Sequence, residues 1–385
     1  MINIYQPLLG KEELKAIKKV FKSNWLGKGP RTEEFIKQFS SKLITDDCFR
    51  EELTVVSPNN LLTVSSCTEG LFQSIDLYVN EGDEVILPSI SFVAAANAIV
   101  AKKAKPIFCD VNKRTLNVEL EDIKNKITKK TKAIIVLHYA GVPCDIDNIS
   151  KFCLNHKIKL IEDNANSPFS TVNNQNTGTF GDIGIWSFDS MKQLVMGDGG
   201  MIYCKNKTDT NKLKKLTYLG LESKSGLDNS NNGNKWWEFN ISSPSRRSVT
   251  NDIQAAIGIE QLKKIDTQLL KRKKIHNQYS LELGNLDWLD IPLNLPTGVT
   301  SSYYMYHIQL KDKNDRDKLA NYMKSKEIYT AFRYYPLHMV EYYKGNYNLP
   351  NTEYVASHTL CIPIHQGLTN KDVNKIILTI KNYKS

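Results

Sequence analysis

The chain has 385 residues, enough for two or three domains, and its apolar and charged fractions of 41% and 24% are those of a globular protein. No apolar stretch approaches the roughly 20 residues of a membrane span, and the first residues lack the features of a signal peptide, so we expect a cytoplasmic protein without a membrane partner. The net charge of +10 is dispersed and argues against nucleic-acid binding, although it would attract a small anionic substrate. Seven cysteines without a CxxC pair indicate neither a disulfide framework nor a metal site.

The first half of the chain alternates short apolar runs with helical patterns, which is typical of an α/β domain. Several runs are apolar on both faces, as strands inside a mainly parallel sheet are. The predicted strands span 61–64, 84–87, 105–108, 133–137, 159–161 and 183–187, with predicted helices at 70–78 and 146–155.

The second half has a different organisation. Residues 222–240 are polar and rich in Gly and Asn, which predicts a long loop. A helical pattern follows over 252–270, and the tail from about 300 predicts a strand, a helix at 315–325, a Tyr/Pro-rich turn and a final helix from 369. We therefore predict a large domain over 1–245, then a long helix and a smaller C-terminal α+β domain over 246–385.

The strongest local signal is WSFDSMKQL at 186–194, followed by GDGG at 197–200. Lys192 comes five residues after the end of a predicted strand. A lysine at the carboxyl edge of a sheet can be desolvated, which lowers its pKa and leaves a nucleophilic amine. A surface lysine before a hairpin is the other interpretation, and the motif alone favours it.

A second signal is LIEDNANS at 160–167, an apolar strand that ends in a carboxylate 29 residues before Lys192. A pyridoxal-phosphate enzyme needs a carboxylate against the pyridine nitrogen, because the protonated ring is the electron sink. Asp163 fits that role, while a helix N-cap is the structural alternative.

A third signal is TVSSCTEGL at 63–71, in which a strand runs into a helix through small hydroxyl residues. The N–H groups and the dipole of a helix start bind phosphate well. Thr68 can add a hydroxyl and Ser187 another. A plain capping motif explains the same residues.

This order of phosphate-binding turn, aspartate and lysine resembles the fold type I pyridoxal-phosphate aminotransferases of the DegT/DnrJ/EryC1/StrS family, which act on nucleotide sugars. The resemblance covers nearly the whole chain. Besides Glu162-Asp163 and Ser187-Phe188, the matching stretches are GKGP at 27–30, PSISFVAA at 88–95, GDGG at 197–200, IQAAIG at 253–258 and PIHQGLT at 363–369.

The resemblance implies the α/β fold of that class, with a mainly parallel seven-stranded sheet, and it implies residue roles. Lys192 would form the Schiff base and move protons, and Asp163 would pair with the pyridine nitrogen. The phosphate would be held by Thr68, the backbone N–H of Glu69 and Ser187, and Phe92 would stack on the cofactor ring. The implied sugar-side residues are Gly27, Lys28, Arg247, Arg333, Tyr334 and His338.

The resemblance also implies a homodimer whose active sites are shared, with the segment SPSRRS at 243–248 reaching across. Three departures from the family pattern stand out. Asn166 occupies the place of a His or Gln near the cofactor's 3-hydroxyl. The usual Gly-x-Asn-x-Arg before the IQAA helix is absent, which leaves a cross-subunit phosphate contact of Ser245 or Arg247 open. The connection at 45–60 is longer than usual.

Within the family, the branch that aminates dTDP-4-keto-6-deoxyglucose at C4 looks most similar, through SCTEG at 66–70, KWWE at 235–238 and YTAFRYYPLH at 329–338. L-glutamate would be the amino donor, in surface-polysaccharide or glycoside biosynthesis. Lys192 argues against the sugar dehydratases of the family, which have His there. The alternatives are a 3-aminotransferase acting on a 3-keto-6-deoxyhexose, or a pyridoxal-phosphate-binding regulator, for which no DNA-binding segment is evident.

Overall fold

The structure is a computed structural model that describes residues 1–47, 52–222 and 239–384. Its helices are α1 (Lys11–Lys22), α2 (Pro30–Ser40), α3 (Cys67–Tyr78), α4 (Val93–Ala101), α5 (Leu120–Lys126), α6 (Ile146–His156), α7 (Lys207–Leu216), α8 (Asp252–Leu283), α9 (Lys313–Ser325), α10 (Pro350–His358) and α11 (Asn370–Lys381). Its strands are β1 (Ile44–Asp47), β2 (Glu52–Val55), β3 (Leu61–Val64), β4 (Glu84–Pro88), β5 (Lys105–Cys109), β6 (Thr131–Leu137), β7 (Lys159–Asp163), β8 (Thr171–Val172), β9 (Gln175–Asn176), β10 (Ile183–Ser187), β11 (Gly200–Cys204), β12 (Leu289–Asp290), β13 (Val299–Thr300), β14 (Tyr306–Leu310) and β15 (Thr359–Ile362).

The large domain is built on a seven-stranded sheet in the order β3-β11-β10-β7-β6-β4-β5. The pairs from β10 to β5 are parallel, whereas β11 runs antiparallel to both of its neighbours. Every residue of β4 and of β10 is buried, because helices cover both faces of the sheet. The predicted α/β fold with a mainly parallel seven-stranded sheet is confirmed.

The C-terminal part contains an antiparallel sheet in the order β12-β14-β15, against which α9 and α11 pack. Helix α8 leads into it and is longer than predicted, since it ends at Leu283. Beyond residue 270 its buried residues Arg272, Ile275, Tyr279 and Leu283 recur at three- and four-residue spacing, and the lysines between them are good helix formers. The helices predicted at 315–325 and from 369 are confirmed.

The start of the chain contacts the C-terminal part. Ile2 donates its N–H to the Glu327 carbonyl at 2.7 Å and accepts the Tyr329 N–H at 2.9 Å. This bridge fixes the position of the segment that carries Tyr5, a buried residue. The division of the chain after residue 245 stays a prediction.

Short elements that the sequence did not predict flank the large sheet. The hairpin β1–β2 occupies part of the long connection at 45–60, and β13, β8 and β9 form a small antiparallel sheet. Most of the predicted loop at 222–240, with the KWWE stretch at 235–238, lies outside the described residues. Within the described ranges no helix is long and apolar enough to cross a membrane.

Candidate active site

The three sequence signals converge at the carboxyl ends of β3, β7 and β10, the edge at which open α/β sheets bind ligands. Ser187 pairs with Gly200 across β10 and β11, and Gly200 also pairs with Val64 of β3. A Cβ at Gly200 would lie 2.9 Å from the backbone nitrogen of Cys67, so glycine allows the start of α3 to approach the sheet. The end of β10 and the start of α3 are therefore neighbours.

Asp163 ends β7 and is buried. Its Oδ1 accepts the Ala165 N–H at 2.9 Å and lies 4.0 Å from the Cys67 thiol sulfur. Among the described residues, no hydrogen bond to its Oδ2 is seen. Burial raises the pKa of the Asp163 carboxyl, against the lowering influence of the Ala165 N–H, Lys192 and His138. The carboxyl thus has one oxygen held by the chain and one available to a donor.

Lys192 lies in the turn between β10 and β11. The turn is held by the Lys192 N–H, which donates to the Asp189 carbonyl at 2.9 Å, and by the Ser190 hydroxyl, which donates to the Gly197 carbonyl at 2.9 Å. The Lys192 side chain is buried, and its ammonium lies 4.6 Å from the centroid of the Tyr304 ring and 3.5 Å from the Tyr304 hydroxyl.

The Lys192 ammonium is stabilised by its surroundings. Burial lowers its pKa, but Tyr304, Tyr334, Cys67 and Asp163 raise it more, so that the pKa lies above its ordinary value. The expectation that desolvation leaves a lowered pKa is wrong for this arrangement. The reason is that the titratable groups of these four side chains lie near the amine, which a strand-end position alone does not reveal.

The start of α3 offers backbone donors. Ser66 is the N-cap, and its Oγ accepts the Glu69 N–H at 3.1 Å, while the Gly70 N–H donates to the Ser66 carbonyl at 3.2 Å. The N–H groups of Cys67 and Thr68 precede this first helical bond and have no partner within the helix. The predicted phosphate contact of the Glu69 N–H therefore competes with the cap, whereas the Thr68 N–H does not.

The Glu69 carboxylate has a role that the sequence did not predict. Its Oε1 accepts hydrogen bonds from Arg246 Nε and Ser248 Oγ, each at 3.0 Å. The segment predicted to reach across to a partner is thus tied to α3 of the same chain. Arg247 is exposed in this segment, with its guanidinium 5.2 Å from the centroid of the Tyr218 ring.

Asn166 is fully buried beside the site. The Tyr334 hydroxyl donates to its Oδ1 at 3.2 Å, and its Nδ2 has no hydrogen-bond partner among the described residues. The ring of Phe92, which is 49% exposed, lies 5.9 Å from that of Tyr334. An unpaired buried donor and an exposed aromatic ring are features that a planar polar ligand would satisfy.

Arg333 reaches the same region from the C-terminal part. Its guanidinium lies 4.8 Å from the centroid of the Tyr5 ring, and its Nη2 is 3.2 Å from the sulfur of Met191, the residue before Lys192.

The sequence analysis missed Tyr5 and Tyr304. The YYMY stretch at 303–306 was the available signal, but an aromatic run is more often part of a core.

Three of the predicted sugar-side residues lie beside groups other than Lys192. Gly27 accepts the Asp252 N–H at 3.1 Å, and Lys28 lines a surface depression of about 860 Å³ that does not include Lys192. His338 is buried, with its Nδ1 2.7 Å from Ser89 Oγ, which suits a packing role.

The sequence model of the DegT/DnrJ/EryC1/StrS aminotransferase family matches residues 7–381. The chain belongs to this family. A relative from Saccharopolyspora spinosa, named dTDP-4-dehydro-2,3,6-trideoxy-D-glucose 4-aminotransferase, is 42% identical over 377 residues, which are 98% of this chain and 95% of the relative. The spore coat polysaccharide biosynthesis protein SpsC of Bacillus subtilis is 28% identical over 98% of this chain and 95% of its own length.

Solved structures agree with this membership. The aminotransferase TlmJ from Streptoalloteichus hindustanus matches with a TM-score of 0.91 and 42% identity over 99% of this chain and 98% of its own. The pyridoxal-phosphate form of Spr1654 from Streptococcus pneumoniae has the same fold, with a TM-score of 0.86 and 22% identity over 98% of this chain and 97% of its own. The family member described here is a pyridoxal-phosphate-dependent nucleotide-sugar aminotransferase.

Proposed function

We propose that the enzyme transfers the amino group of L-glutamate to C4 of dTDP-4-keto-6-deoxy-D-glucose, which yields dTDP-4-amino-4,6-dideoxy-D-glucose for a surface polysaccharide or glycoside. The observation that carries this proposal is the 42% identical relative, whose name specifies amination at C4 of a dTDP-linked keto-sugar and whose alignment spans 98% of this chain. The sugar in that name lacks the 2- and 3-hydroxyls, so the corresponding trideoxy sugar is a second candidate.

We propose the following roles around the cofactor. Bound pyridoxal phosphate supplies the electron sink on which an amino group can be moved. Lys192 would carry it covalently and, once free, move a proton at the substrate carbon. Asp163 has an available oxygen for the pyridine nitrogen, and a charge-assisted hydrogen bond of this type is worth about 1.5–3 kcal/mol.

The phosphate and the ring of the cofactor fit the remaining features of the site. The Thr68 N–H and hydroxyl and the Ser187 hydroxyl flank the start of α3, where the helix dipole favours an anion. Glu69 could contribute its N–H only by sharing it with Ser66. The unpaired Asn166 Nδ2 suits the cofactor's 3-oxygen, and the exposed ring of Phe92 suits its π-face.

The sugar nucleotide would enter between the cofactor and the side chains of Arg333, which lies beside Met191, and Tyr334, which donates to Asn166. Gly27 contacts Asp252 and Arg247 contacts Tyr218 of their own chain, and a homodimer with shared sites would bring both residues, with Lys28, to the partner's site. His338 stays a predicted sugar contact, although its buried position beside Ser89 favours packing.

Sedimentation should show a dimer, and a fully active monomer at micromolar concentration would refute the shared site.

The substrate is tested by supplying glutamate with dTDP-linked 4-keto-6-deoxyglucose, 4-keto-2,3,6-trideoxyglucose and a 3-keto-6-deoxyhexose, each also with UDP or GDP as carrier. NMR of the products identifies the aminated carbon. We expect a 4-amino-4,6-dideoxy product from the dTDP sugar. A preference for the trideoxy sugar would support the second candidate, and turnover of the 3-keto sugar alone would overturn amination at C4.

A further inference from the structure

Lys192 lies against an aromatic ring that the proposed function leaves unexplained. Tyr304 is fully buried, and the Lys192 ammonium lies 4.6 Å from its ring centroid, toward the hydroxyl end of the ring. The Tyr304 hydroxyl is 3.5 Å from the same nitrogen. A cation over the face of a tyrosine ring is stabilised by the ring quadrupole, and more strongly where water is excluded.

The position of Tyr304 is fixed by stacking on one face of its ring and by hydrogen bonds along its backbone. The ring of Tyr5 stacks on it with centroids 5.0 Å apart and an interplanar angle of 12°. The Tyr304 N–H donates to the Ala140 carbonyl at 2.9 Å. Gln193, which follows Lys192, donates through Nε2 to Ser302 Oγ at 2.9 Å, so the lysine turn and the tyrosine segment are tied together.

A buried arginine supports the same segment from α8. Arg272 is 1% exposed, and its Nη1 donates to the carbonyls of Tyr303 at 3.1 Å, Tyr304 at 3.3 Å and Ile364 at 3.0 Å. Its Nε donates to Gln366 Oε1 at 3.0 Å, and no carboxylate pairs with it among the described residues. A buried arginine is rare without a paired charge, so these carbonyls account for its place in the structure.

The other groups that face Lys192 have partners of their own. The Tyr334 hydroxyl donates to Asn166, and the Cys67 thiol faces Asp163. Burial raises the pKa of Tyr334 to about 12 and raises that of Cys67, which keeps both neutral at neutral pH. Among these neighbours, Tyr304 is the one in direct contact with the amine.

We propose that Tyr304 is a further catalytic residue, which receives the Lys192 ammonium whenever that amine is free, and that Arg272 is a positioning residue for it. The proposal rests on the role proposed above for Lys192. In the first half-reaction the amino group of glutamate moves to the cofactor, one water is consumed, 2-oxoglutarate leaves, and Lys192 regains its amine and a proton. The enzyme thus has one form in which Lys192 is bound to the cofactor and one in which Lys192 is a free ammonium. Tyr304 stabilises the form with the free ammonium, because that ammonium is absent while Lys192 is bound to the cofactor.

The equilibrium between the pyridoxal and pyridoxamine forms of the holoenzyme tests this directly. It is read from the absorption spectrum at set ratios of glutamate to 2-oxoglutarate, and it does not depend on turnover rate. We expect Tyr304→Leu to shift the equilibrium about tenfold toward the pyridoxal form, and Tyr304→Phe, which keeps the ring, to shift it by about threefold or less. Tyr306→Phe is the matched control, since Tyr306 is equally buried two residues away and pairs with Ser280.

Arg272 gives an independent second measurement. Arg272→Met should move the same equilibrium in the same direction, and Arg272→Lys should restore part of the shift, because an ammonium can still donate to the Tyr304 carbonyl. A Tyr304→Leu equilibrium within about twofold of the wild type would overturn the proposal, whatever the arginine variants do. If borohydride instead fixed the cofactor to another lysine of the wild type, the proposed role of Lys192 would fail, which is a separate outcome.

Discussion

The two sides of the candidate site are built in different ways. On the cofactor side, Asp163 and Ser187 end the strands β7 and β10 and Lys192 lies in the turn after β10, so that short stretches of backbone place them. On the aromatic side, Tyr5 comes from the start of the chain and its ring stacks against Tyr304 and Arg333 of the C-terminal part. Local backbone geometry thus positions the residues of the cofactor side, whereas packing between distant segments positions those of the aromatic side.

The largest effect should come from removing the amine of the cofactor side. Lys192→Ala should leave the fold and noncovalent cofactor binding intact but abolish turnover and the covalent link, because no other nucleophile replaces it. Borohydride reduction followed by peptide mapping measures the link. Lys205→Ala, at an exposed lysine after β11, is the control and should behave as the wild type. Covalent capture in Lys192→Ala would show that another lysine carries the cofactor.

Asp163→Asn should come next. An amide cannot keep the pyridine nitrogen protonated, so we expect kcat to fall by about a hundredfold or more while the protein still folds. Steady-state kinetics and a thermal melt measure the two quantities. Asp182→Asn removes a partly exposed carboxylate that pairs with Lys159 and should leave kcat unchanged. A wild-type rate for Asp163→Asn would remove this residue from the mechanism.

The contrast between the two sides also explains what the sequence could predict. Strand ends and helix starts have local signatures, so the six strands predicted in the first half of the chain, Lys192, Asp163 and the start of α3 could be placed before the structure. The stack of Tyr5 on Tyr304 lies next to the bridge between Ile2 and Ile328, and both join residues far apart in the chain. For the same reason the raised pKa of Lys192 could not be predicted, because it arises from neighbours that no local pattern contains.

On the aromatic side, Arg333→Ala should act on substrate binding alone. Its guanidinium lies on Tyr5 beside Met191, where it can reach a diphosphate or a sugar hydroxyl. We expect KM for the nucleotide sugar to rise by about tenfold, about 1.4 kcal/mol, with the glutamate half-reaction within about threefold of the wild type. Arg316→Ala, in α9, is the control. Equal damage to both half-reactions would give Arg333 a structural role.

The smallest effect concerns the stability of the packing beneath the aromatic side. His307 in β14 is buried, and its ring lies 5.7 Å from that of Tyr139. Burial lowers the pKa of His307 to about 4. The unfolded chain, with an ordinary pKa of about 6.5, therefore binds more protons than the folded one between these two values. The contribution of the neutral His307 to the free energy of unfolding is therefore fully present above pH 6.5 and is lost as the pH falls toward 4.

His307→Phe keeps an aromatic ring against Tyr139 and removes the titrating group. The wild type should lose about 2 kcal/mol through this histidine between pH 7 and pH 5, and the variant should lose correspondingly less. Urea unfolding at the two pH values, with cofactor in fixed excess, measures the difference. His156→Asn changes an exposed histidine at the end of α6 and should leave the pH dependence as it is. Only a group whose pKa changes on unfolding can make the free energy of unfolding depend on pH in this range. If His307→Phe lost as much stability between pH 7 and pH 5 as the wild type, His307 would not be that group.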